Sequence, residues 1–147
     1  KAGFCRNEPP FKARTVSDIT TSLTNQLANE RYHFERGNDD EWRITVKSVA
    51  GALRDTWEIA VEEIVGHVIH RLSNEVKTPG LVKLTAITVP DCQAMRDGFG
   101  RCSELLHSAA AALNRPLPKP EALSVEINAL AAWADSLKQR QRAARLP

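Results

Sequence analysis

No stretch of this sequence approaches the roughly 18 consecutive apolar residues that a membrane span needs, because charges recur every few positions. A membrane-spanning segment is therefore excluded and a soluble domain expected. Cysteine is scarce: Cys5, Cys92 and Cys102 are odd in number and never spaced as CxxC. That argues against a disulfide framework and against a thiolate zinc site, and it fits a reducing cytoplasm. There is no G-x-x-x-x-G-K-[ST] loop to cradle nucleotide phosphates and no HExxH helix. A strong charge of one sign is also missing. The net +2 and pI near 8.6 permit RNA as a partner without requiring it, since phosphate recognition depends on local basic clusters. No repeat or low-complexity tract divides the 147 residues, a length that suits one core burying about two-thirds of the unfolded surface. The chain starts Lys1-Ala2-Gly3, without an initiator methionine or the order of a signal peptide, and is expected to be one module of a longer polypeptide.

What the sequence does contain is helical periodicity. Residues 1–15 carry Pro9-Pro10 and no sustained period, and read as an extended arm. Thr15 or Ser17 can cap a first helix whose Ile19, Leu23 and Leu27 recur every four residues, and Gly37-Asn38 supplies its stop. Asp39-Asp40-Glu41 suits the positive end of a second helix dipole. From there Trp42, Val46, Val49, Leu53, Trp57, Ala60 or Val61, Ile64 and Val68 keep a spacing near 3.6 to about Leu72, which predicts one long central helix. Thr78-Pro79-Gly80 breaks the chain, and Leu81 to Leu84 is too short to classify. Pro90 opens a helix that runs toward Ala112, with Gly98-Phe99-Gly100 predicted to split or kink it. Pro116, Pro118 and Pro120 make a stiff connector, and a last helix carries Leu123, Ile127, Leu130, Ala134 and Leu137 on one face. The expected fold is all-α: a bundle of about four to five helices spanning residues 16–147.

Two constellations could carry chemistry. Arg54 and Glu58 lie four apart on the long helix and so face the same side, as a surface ion pair or as part of a site. Arg101 and His107 follow the glycine pair with five residues between them. Six helical steps leave them about 240° apart beyond a full turn, so a kink at Gly100 or a second copy of the chain is needed to bring them together. Lys138, Arg140, Arg142 and Arg145 crowd the end of the last helix, either as a solvated end favoured by its dipole or as an RNA-phosphate guide. His67 and His70 sit near Glu63 at a spacing that can ligate metal, but no further strong ligand is evident, so no metal or other cofactor is expected. Trp42, Trp57 and Trp133 occupy core-compatible positions, better suited to packing than to stacking on bases.

Taken together these residues resemble a family. Arg101 to His107 is similar to the R-x4-6-H signature of HEPN ribonucleases, and Arg54-x-x-x-Glu58 with a downstream histidine resembles the set used by bacterial anticodon nucleases. Cys5 to Pro10, Leu53 to Glu63, Arg101 to Ser108 and Ile127 to Trp133 resemble the C-terminal region of bacterial ABC/SMC-like ATPases, some of which are phage-defence nucleases. The resemblance implies a metal-independent endoribonuclease acting on tRNA or another RNA, with a second copy of the chain and the ATPase region of the full-length protein as its implied partners. An imidazole with a pKa near 6.5 can take a proton from a ribose 2′-OH or give one to the departing 5′-oxygen, the part implied for His107. A permanently charged guanidinium, Arg101 or Arg54, would hold the phosphate, with Glu58 orienting Arg54 or serving as a second proton-transfer group. The departures are that His107 is farther from Glu58 than in the anticodon nucleases and that the ATP-binding signatures are missing. A catalytically silent helical docking or dimerisation module is the alternative, and a DNA-directed module a third.

Overall fold

The computed structural model describes residues 14–69, 76–110 and 115–147. Thr15 closes the start of α1 (Val16–Glu35): its hydroxyl accepts from the Asp18 amide and the Asp18 carboxylate accepts in return from the Thr15 amide. Gly37, at φ 70°, takes the left-handed turn that ends the helix and reverses the chain into α2 (Asp39–Val65). After α2 come a 3₁₀ segment (Thr78–Ala86), α3 (Val89–Ser108) and α4 (Pro120–Ala143). Each α-helix runs antiparallel to its sequence neighbour. Glu63 accepts from the Val16 amide at one end of the α1–α2 pair and Glu30 accepts from Thr45 at the other, while Asp91 with Arg140 and Arg101 with Glu126 tie α3 to α4 in opposite directions. The result is an up-and-down four-helix bundle.

As the periodicity predicts, the 27-residue α2 is the spine and touches all three other helices. Trp42, Val46, Val49, Leu53 and Trp57 are at most 1% exposed, and α1 and α4 close on them with Ile19, Leu23, Leu123, Ile127 and Leu130. Trp57 meets the edge of Trp133 at 5.2 Å, and the Trp42 indole donates to the Pro118 carbonyl, so the tryptophans pack.

Two expectations need correction, and one segment left unclassified is now assigned. α2 ends at Val65, capped by Gly66, short of Leu72, which lies outside the described residues along with the rest of 70–75. Leu81–Leu84 belongs to the 3₁₀ segment. α3 runs unbroken through Gly98-Phe99-Gly100 because Gly98 answers a packing need instead of marking a break: a Cβ there would lie 2.2 Å from Trp57 Cζ2. The N-terminal arm lies outside the described residues up to position 13, Cys5 included, and so does His70. No described helix is long and apolar enough to cross a membrane.

Candidate functional site

α3 places Arg101, Glu104, Leu105 and Ser108 at successive helical steps along one face, toward α4. Together with His107, with Arg115 after α3, and with Ala122 and Glu126 of α4, they line an open groove of about 610 Å³. The kink expected at Gly100 is not needed to put Arg101 and His107 on one groove. They stand about 9 Å apart along the helix axis and form separate parts of its wall, with no hydrogen bond between them. His107 is exposed, and Arg101 is half-exposed.

Arg101 is fixed by one strong contact, Nε donating to Glu126 Oε1 at 2.8 Å. That hydrogen bond raises the guanidinium further above its ordinary value, so it is charged at any working pH. Glu126 is only 7% exposed. The groove is thus of mixed charge, with Arg101 and Arg115 set against Glu104 and Glu126.

Arg54 and Glu58 are not part of this groove. The Arg54 guanidinium lies 5.8 Å from the Phe99 ring centroid and pairs at 3.9 Å with its neighbour Asp55, so the expected i,i+4 ion pair with Glu58 does not form. Among the four basic residues assigned to RNA, Arg140 is already committed. Its two amino groups grip both oxygens of Asp91, at 2.5 and 2.9 Å, and one also donates to the Ala86 carbonyl. Lys138, Arg142 and Arg145 are exposed, but Lys138 is twelve residues beyond Glu126, roughly 18 Å along α4. Lys138 and Arg142 share a separate cleft with Glu63 and Asp135, which oppose their charge.

The Arg140–Asp91 clasp joins the last turns of α4 to the first turn of α3. Asp91 also accepts from the amide and hydroxyl of Thr88, and these donors, Arg140 foremost, hold its carboxyl well below the usual carboxylate range. A depressed folded-state pKa stabilises the fold above the unfolded value of about 3.9, and the contribution is lost as pH falls toward the folded value. Asp91→Asn is therefore expected to melt below wild type at pH 7, with the gap narrowing as pH is lowered through 4 toward 2. Thermal melts at stepped pH check this; a gap that stays constant would contradict the linkage.

Cys92 and Cys102 are free thiols, and burial pushes Cys102 up to about 11, so it is not a thiolate nucleophile at neutral pH. Among the described residues no three His, Cys, Asp or Glu side chains gather as metal ligands, and His67 lines a cleft with Glu63 and Lys138. Sequence reasoning missed Glu126, Glu104, Ser108 and Arg115. For Glu126 a signal existed: an acid three residues after Leu123 and one before Ile127 interrupts the apolar face of α4. The chain matches no family model, no curated protein and no solved structure.

Proposed function

We propose that this domain is a metal-independent endoribonuclease of the HEPN type, cytoplasmic, acting on tRNA or another RNA as a homodimeric effector attached to an ABC/SMC-like ATPase. The observation that supports it most is that Arg101 and an exposed His107 line the same groove, of a size suited to a small ligand. In the reaction the 2′-oxygen attacks the adjacent phosphorus and the bond to the 5′-oxygen breaks, leaving a 2′,3′-cyclic phosphate and a 5′-hydroxyl. One proton leaves the 2′-OH and one reaches the 5′-oxygen. His107 makes one of these transfers and the His107 of the second copy the other. Arg101 stabilises the extra negative charge on the pentacoordinate phosphorane. Arg54 and Glu58, lying outside the groove, have no part in this chemistry.

The mixed charge of the groove favours a second reading, a silent docking module in which Arg101 and Glu126 are a structural pair. Incubation with total tRNA in excess EDTA separates the two. Nuclease activity predicts cut RNA ending in cyclic phosphate. RNA left intact both by the domain and by its parent ATPase with ATP would favour the docking module.

A further inference from the structure

The apolar face of α4 contains one residue that hydrophobic packing does not explain. Glu126 stands among Leu123, Ile127 and Leu130, each at most 2% exposed, and is itself 7% exposed. An ionised carboxylate can accept about four hydrogen bonds. Here Oε1 takes one, from Arg101, and Oε2 is sealed from solvent with no hydrogen-bond partner among the described residues. A half-satisfied carboxylate at this depth opposes folding, and an apolar residue of similar volume at such a position is commonly neutral or stabilising.

The contact with Arg101 is one-sided in a particular way. A bidentate pair would occupy an edge of the guanidinium with two parallel bonds, leaving less of it for anything else. Glu126 instead engages Nε alone, so four of the five N–H donors of Arg101, those on its two amino groups, have no partner among the described residues. Arg101 is half-exposed along the groove while its anchor is buried beneath it. A long, flexible side chain is thereby ordered before any ligand arrives, which removes that ordering from the binding step.

We infer that Glu126 is a positioning residue: it holds Arg101 by Nε so that both amino groups are offered to a phosphodiester in the groove, and it is kept there at the expense of fold stability. This rests on reading the groove as the nuclease site. Glu104, though it lines the same groove, is exposed and makes no such contact with Arg101.

The test compares wild type with Glu126→Gln and Glu126→Leu. Both variants are expected to melt at or above the wild-type temperature. Both should lose about tenfold to a hundredfold in kcat on RNA, with a smaller change in KM, as a displaced transition-state contact requires. Retention of kcat within about twofold of wild type, or a loss of activity that follows a fall in melting temperature, overturns the inference. A second readout keeps it testable if wild type cleaves no RNA. Inorganic phosphate is titrated while the Arg101 Nε–H resonance is followed by NMR. Binding weakened in both variants by about tenfold relative to wild type supports positioning even then. Equal binding in all three proteins, or none in wild type, overturns it.

Discussion

Gly98→Ala is expected to destabilise the bundle by about 1–3 kcal/mol, although alanine is the better helix former by nearly 1 kcal/mol. The sign is decided by Trp57. The added Cβ would lie 2.2 Å from Cζ2 and 2.6 Å from Cε2 of an indole that is 1% exposed and already set against Trp133. The ring has nowhere to withdraw, so α2 and α3 must separate. Gly100, two residues on in the same helix, has nothing within 4 Å of its hypothetical Cβ. Gly100→Ala should therefore stabilise by about 0.5–1 kcal/mol through helix propensity alone. Trp57→Phe removes the outer indole ring, so in that background Gly98→Ala should cost less than it does in wild type, a coupling that a double-mutant cycle measures. Denaturant midpoints of wild type and the four variants report these changes; equal stability of Gly98→Ala and Gly100→Ala would contradict the packing account.

His107→Ala is expected to lower RNA cleavage by about 10²–10⁴-fold, because the proposed reaction uses its imidazole for proton transfer, while leaving stability within about 0.5 kcal/mol, because the side chain is exposed. Arg101 needs more care. Arg101→Ala deprives buried Glu126 of its hydrogen-bond donor, and an unpaired buried carboxylate destabilises the fold whatever Arg101 does for catalysis. Arg101→Lys keeps a cation near Glu126 but loses the planar fork, and a loss of about 10²–10³-fold in kcat at nearly constant melting temperature isolates the phosphate contact. Arg54→Ala and Glu58→Ala, outside the groove, should retain cleavage. Single-turnover rates in EDTA check the set, and normal cleavage by His107→Ala would remove the imidazole from the chemistry.

The fold was legible where residue identity and period agree. Ile19, Leu23 and Leu27, the Trp42 to Trp57 stripe and Leu123, Ile127, Leu130 and Leu137 all name buried positions, Ala134 being partly buried, and Thr15, Gly37 and Pro120 mark helix boundaries. Gly98 misled because a glycine that breaks a helix and one that admits a neighbouring tryptophan look alike until the neighbour is known. Arg140 misled for a related reason: a basic run at a helix end suggests free cations, whereas Asp91 is 49 residues away in sequence. At the candidate site, Arg101 and His107 were found by their spacing, yet the partner of Arg101 comes from a different helix. The pairing of Arg54 with Glu58 was inferred from helical spacing alone, and Asp55 and Phe99 took its place. Local pattern gave the elements; side-chain partnerships across elements required the fold.

The claim that the Arg101–His107 groove cleaves RNA through its own 2′-hydroxyl is tested most directly with one oligoribonucleotide spanning a mapped cut, and the same strand with a single 2′-deoxy sugar at that cut. Both are incubated in EDTA with wild type and with His107→Ala. The account predicts that wild type converts the ribose strand to a 2′,3′-cyclic phosphate and leaves the deoxy strand intact, and that His107→Ala cuts neither at a comparable rate. Cleavage of the deoxy strand, equal cleavage by His107→Ala, or no RNA cleavage by wild type even in the full-length protein with ATP would contradict it.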